Sequence, residues 1–190
     1  MTVSAGAASQ LVIATQPSST AQSGVAFGQQ PVIQLQDASG NAVSQSGVVV
    51  TAAIASGAGT LGGTLTATTV ANGTATFTNL EITGTAGART LSFSATSLTP
   101  VTSGTITVSA GAASQLVITT QPSSTVQSGV AFAQQPVIQL QDASGNAVSQ
   151  SGVVVTAAIA SGAGTLGGTL TGLTTNDCCF GGCGARKTNP

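Results

Sequence analysis

The most reactive side chains in this sequence are three cysteines near its end, Cys178, Cys179 and Cys183. A thiolate is a nucleophile and a ligand for soft metals. Three could share a metal, but a structural zinc site takes about four ligands, and C-C-x-x-x-C is not the C-x-x-C pair such sites use. The odd count leaves at least one thiol unpaired within the chain, so oxidation could join two chains. Cys178, Cys179 and Cys183 are therefore weak metal candidates and candidates for an intermolecular disulfide. In a third reading the segment 172–190 is incidental. Other catalytic constellations lack their parts. The chain has no histidine, the commonest general base. Asp37, Glu81 and Asp142 are carboxylates, but calcium takes about six to eight oxygens, usually from several carboxylates close together. Asp37 and Asp142 sit in the same Asp-Ala-Ser-Gly-Asn stretch, where a turn-forming Asp is expected. Arg89 and Glu81 are expected to form an exposed pair worth under about 1 kcal/mol. Asn72-Gly73-Thr74 is a glycosylation sequon that reads more economically as a hairpin turn. No catalytic residue and no cofactor site are expected.

Composition narrows the function classes further. Charged residues make up 4% of the chain, against roughly 25% in an average soluble protein. Tryptophan and tyrosine are absent, which removes the usual stacking platforms of a carbohydrate-binding accessory module. The net charge is −1 and the repeated part carries no basic stretch, so no nucleic-acid partner is expected. The longest apolar run, residues 48–55, falls far short of the ~20 a membrane helix needs, so no membrane insertion is expected. The first residues lack a basic stretch followed by an apolar one, so they do not read as a signal peptide.

The elements that would position these residues come in a repeat. Leu11 returns as Leu116, an offset of 105 residues, about the size of one β-sandwich domain. Residues 2–66 recur as 107–171 with three changes: Ala14 to Thr119, Ala21 to Val126 and Gly28 to Ala133. After Thr171 the match stops. The expected organisation is residues 1–8 as the end of a preceding repeat and linker, 9–108 as a complete module, 109–171 as a second module lacking its last strands, and 172–190 as a tail. The chain thus reads as a piece cut from a longer array.

Within the complete module the pattern is that of strands. Residues 10–15 form a first strand ended by Pro17-Ser18-Ser19. Residues 31–37 alternate, setting Ile33 and Leu35 on one face with Gln34 and Gln36 toward water. Val48, Val50, Ala52 and Ile54 fall at period two, and Leu61 and Leu65 bracket a Gly pair in a short irregular strand. Asn72-Gly73 signals a hairpin, followed by Ala75 and Phe77, then Leu80 and Ile82. Residues 91–95 and a last strand through Ile106 and Val108 complete the set. Helical periodicity is absent.

The ordered motifs resemble the bacterial Ig-like (Big) repeats of invasin- and intimin-type surface adhesins. They are the Asp37-to-Asn41 turn, the valine-rich strand through Ile54, Asn72-Gly73 before Ala75-Thr76-Phe77, and Thr85-Ala86-Gly87 before Thr90-Leu91. The resemblance implies an all-β fold of tandem immunoglobulin-like β-sandwich repeats, the second truncated. It also implies a non-catalytic stalk at the cell surface or outside a bacterium, whose partners are neighbouring Ig-like repeats. A module without its closing strands should leave Ile138, Leu140, Val153 and Val155 uncovered. Hence an alternative: a self-assembling filament or sheath subunit, in which other copies of the chain add the missing strand.

Overall fold

Alternation of apolar and polar residues gives a strand one face for a core, and most of the large apolar side chains here are placed that way. The computed structural model describes residues 4–175, so Cys178, Cys179 and Cys183 lie outside the described residues. The chain divides into two compact units between Gly111 and Ala112. Among the described residues no helix is long and apolar enough to cross a membrane.

Unit 1 runs β1 (Gln10–Thr15), β2 (Thr20–Gln22), β3 (Val32–Gln36), β4 (Val49–Ser56), β5 (Thr60–Gly62), β6 (Thr66–Thr68), β7 (Thr74–Thr76), β8 (Glu81–Thr83), β9 (Gly87–Ser94), β10 (Val101–Thr102) and β11 (Ile106–Ser109). β1, β3 and β7 form one antiparallel sheet with β3 in the middle. The other sheet has the order β2-β11-β9-β4-β6, with β10 also on β9. Its β11–β2 contact is parallel. β5 and β8 make a separate ladder.

The two sheets close on one core. Ile33, Leu35 and Ala75 of the first meet Val50, Ala52, Leu91, Phe93, Ile106 and Val108 of the second in a single buried cluster. The rings of Phe77 and Phe93 pack at 5.3 Å between centroids, tilted by 53°. Turn residues act as their chemistry dictates. Gly73 takes φ 76°, and a side chain there would run into the carbonyl oxygen of Val43. Two expected strands come out divided. The stretch around Leu61 and Leu65 splits into β5 and β6, which join different sheets, and Leu65 is exposed. The last strand breaks at Ser103, whose hydroxyl accepts the Leu91 N–H at 2.9 Å and donates to the Gly104 carbonyl at 2.8 Å.

Unit 2 contains β12 (Gln115–Thr120), β13 (Val137–Gln141), β14 (Val154–Thr156) and β15 (Thr171–Leu173). β12 and β13 repeat the β1–β3 register pair for pair, down to the irregularity before Thr120 that matches the one before Thr15. β14 and β15 repeat β4–β6. The correspondence continues to Thr174, whose hydroxyl accepts the Val153 N–H at 3.1 Å as Thr69 accepts that of Val48 at 3.0 Å.

Which side chains lack cover differs from the expectation. Leu140 and Val155 are buried, and Ile138 and Val153 are half-buried. Cover is lost instead on β12, where Leu116 (54%) and Ile118 (48%) are exposed. The reason is visible in unit 1, where the outer edge of β1 is paired: Leu11 donates to the Thr99 carbonyl at 3.0 Å, and Leu98 and Val101 pack on the core. Leu11 is thereby only 5% exposed. Among the described residues, unit 2 has no counterpart of that segment.

Because Phe93 lies at the centre of the closed core, Phe93→Ala should cost about 3–5 kcal/mol. In urea, the unit 1 transition should move to a lower midpoint with its slope unchanged. A loss below about 1 kcal/mol would show that the ring does not carry the closure.

Candidate functional site

Among the described residues charge is confined to Asp37, Glu81, Arg89 and Asp142, so each can be taken in turn. Asp37 follows β3 and is 6% exposed. Its Oδ1 accepts the N–H groups of Ser39 at 3.0 Å and Asn41 at 2.9 Å. Its Oδ2 accepts the Asn41 side-chain amide and the Gly6 N–H, both at 2.9 Å. These donors favour the ionised form, the Asn41 amide most and then the Gly6 N–H, while burial opposes them; the pKa falls to about 2. Asp142 builds the same turn, accepting from Ser144 at 2.9 Å and from the backbone and side chain of Asn146 at 2.8 Å each. Both carboxylates thus tie a β-turn together.

Arg89 is the surprise. It is not exposed beside Glu81: it is 5% exposed and points inward, in phase with Leu91 and Phe93 along β9. Its guanidinium donates to the carbonyls of Ala58, Ala88 (2.7 Å) and Thr85 (2.6 Å). It closes one end of the core by taking up the carbonyls of two loops. Gly57 makes the room, since a side chain there would collide with the Arg89 stem and the Ala88 carbonyl. Glu81 stays half-buried in β8. The signal that could have found Arg89 was the alternation Arg89-Thr90-Leu91-Ser92-Phe93, in which the guanidinium shares the core phase.

Neutral side chains do similar work. Gln30 donates to the carbonyls of Phe27 (3.0 Å) and Leu80 (3.1 Å) and accepts the Leu80 N–H at 2.9 Å. Gln34 does not simply face water: its amide reaches the carbonyls of Asn72 (3.2 Å) and Gly73 (3.3 Å). The Asn72 Oδ1 accepts both the N–H and the hydroxyl of Thr74, so this side chain is used within the hairpin turn. Among the described residues no group of three His, Cys, Asp or Glu side chains could hold a metal.

Two packed sheets, one carrying a parallel closing contact at its edge, define an immunoglobulin-like domain. The family model described as SMCHD1 Ig-like domain 6 matches residues 8–110, and the chain belongs to that family. No curated protein matches the chain in sequence. Among solved structures it is similar to FdeC, described as an Escherichia coli adhesin, at 17% identity and a TM-score of 0.45, covering 78% of this chain and 47% of that one. It is also similar to domains 1–6 of the surface layer protein SbsC, at 17% identity and a TM-score of 0.29, covering 88% of this chain and 22% of that one. The chain thus spans less than half the length of either structure.

The depressed Asp37 pKa carries a sign. A carboxyl whose folded pKa lies below its unfolded value adds stability above the unfolded value and loses it as pH falls through the folded one. Unit 1 should therefore lose stability between about pH 4 and pH 2, and Asp37→Asn should flatten that part of a melting-temperature profile. Equal slopes in parent and variant would count against the turn as the source. Arg89→Ala leaves three carbonyls without their donor, at about 1–3 kcal/mol for each one left unmet. A lysine ammonium holds its three donors on one nitrogen and lacks the planar spread that reaches three separated carbonyls, so Arg89→Lys should recover little of that loss in chemical denaturation. Full parental stability in Arg89→Lys would reduce the role to charge alone.

Proposed function

We propose that the chain is a non-catalytic structural spacer, a stalk segment of a bacterial cell-surface or secreted adhesin-like protein. The observation that carries this reading is where the polar groups end. Asp37, Asp142 and Arg89 are consumed in holding turns and loops to the sheets, and Gln30 and Gln34 do the same. What such a unit offers its neighbours is a fixed shape repeated every 105 residues. The motif order shared with the Big repeats supports the surface setting. A surface almost without charge also spares successive repeats mutual repulsion.

Produced as one, two and four full repeats, the protein should give small-angle scattering whose maximum dimension grows in proportion to repeat number. Under force, each unit should open as one step of about 350 Å, the reach of 105 extended residues. A compact particle, or steps unrelated to the repeat, would contradict the spacer reading.

A further inference from the structure

We propose that the stretch leading into β1, Ser4-Ala5-Gly6-Ala7-Ala8-Ser9, is a docked strut, and that Oδ2 of Asp37 is the latch that holds it. Its composition points the other way, because small residues such as glycine and serine in a row ordinarily make a flexible linker. The same six residues recur as 109–114, where they run from the end of β11 to the start of β12. The stretch is therefore a connector of this repeat. The inference goes beyond the spacer reading and does not rest on it.

Residues 4–9 form no strand and residues 4–7 are exposed, yet the backbone is gripped at successive points. The Gly6 N–H donates to Asp37 Oδ2 at 2.9 Å. Ala8 packs against the core. The Ser9 N–H donates to the Gln36 carbonyl at 2.9 Å, and the Ser9 carbonyl accepts the Thr99 N–H, also at 2.9 Å. The Gln10 side-chain amide then donates to the Asp37 carbonyl at 3.0 Å. Unit 2 repeats the two contacts nearest its first strand: the Ser114 N–H to the Gln141 carbonyl at 2.8 Å and the Gln115 amide to the Asp142 carbonyl at 3.1 Å.

Asp37 divides its oxygens between two jobs. Oδ1 takes the Ser39 and Asn41 N–H groups and so closes the turn, whereas Oδ2 takes the Asn41 side chain and the Gly6 N–H. The Gly6 bond spans thirty-one positions of sequence, so what it orders is the lead and not the turn. Fixing a residue costs backbone entropy, and one hydrogen bond could not offset that cost for the whole stretch. With Ala8 and Ser9 already held, only Gly6 and Ala7 remain to be ordered. A bond to a carboxylate, about twice as strong as one to a neutral acceptor, suffices for them. The latch uses the N–H and not the small size of glycine, since a Cβ on Gly6 would meet Asp37 Oδ2 at an ordinary contact distance of 3.6 Å.

The test measures backbone order in the full chain by nitrogen-15 relaxation. Ala7 and Ala8 should give order parameters of about 0.8, near those of a rigid strand. Gly6→Pro removes the donor and should drop Ala7 below about 0.6, while Gly6→Ala keeps the N–H and should leave it unchanged. In Asp37→Asn the remaining carbonyl oxygen can serve the turn, and the Asn41 side chain can rotate its own oxygen toward the new amide, so the Gly6 N–H alone loses its acceptor. That variant should loosen Ala7 while the Ser39 and Asn41 amides stay protected from exchange. An order parameter below about 0.6 at Ala7 in the parent overturns the proposal. So does an unchanged Ala7 in either Gly6→Pro or Asp37→Asn, or equal loosening in Gly6→Ala.

Discussion

A sheet that is apolar on one face is not a stable object until something covers that face, and in unit 1 the cover converges on β9. This strand pairs with β4, β10 and β11 and sets Leu91 and Phe93 against the opposite sheet. Arg89, two residues earlier on the same side, gathers the carbonyls of Ala58 and Thr85 from the adjoining loops and that of Ala88 beside it. The β4 and Ala58 contacts are the distant ones, while β10 and the Thr85 and Ala88 carbonyls come from nearby in the chain. β9 meets β4 from more than thirty residues upstream, as with the pair Ile54 and Leu91, so the ordering entropy of the chain is met before the core rewards it.

The near absence of charge changes how such a fold is fastened. Where another protein would use ion pairs, this one uses amides and hydroxyls as clamps between a side chain and a distant backbone. The Ser23 hydroxyl donates to the Gly84 carbonyl at 3.1 Å and accepts its N–H at 3.0 Å, across sixty-one positions of sequence. Each neutral bond contributes about 0.5–1.5 kcal/mol net, and leaving its buried partners unmet would cost more. Fastening of this kind is little affected by salt, because no exposed charges have to be screened.

Much of this was legible in the residues. The bounds of β1, the inward set of β3, the Asn72-Gly73 turn and the Asp37 turn all follow from local alternation and turn chemistry. What alternation could not show is anything conferred from far away. Arg89 reads as a surface cation by type, and only its phase with Leu91 and Phe93 betrays its burial. β2 went unnoticed because Thr20-Ala21-Gln22 has no strand pattern of its own. The chemistry of Cys178, Cys179 and Cys183 lies outside the described residues, so nothing further follows for them.

The two copies separate local from distant causes, since they share almost every residue over the stretch they have in common. β12 and β13 reproduce the β1–β3 register in full, so register belongs to the hairpin. Burial does not: the same leucine is 5% exposed as Leu11 and 54% exposed as Leu116. Fully covering one such side chain is worth about 1.5–3 kcal/mol, so leaving Leu116 and Ile118 half in water removes a sizeable part of a domain's ~5–15 kcal/mol margin. Even being a strand turns out to be shared property. Residues 20–22 are a strand beside β11, and their counterparts 125–127, with valine for alanine at the centre, are not. Valine has the higher β propensity, so the difference runs against local preference and must come from the missing neighbour. Strand character at that edge therefore accompanies pairing with β11, which among the described residues has no counterpart in unit 2.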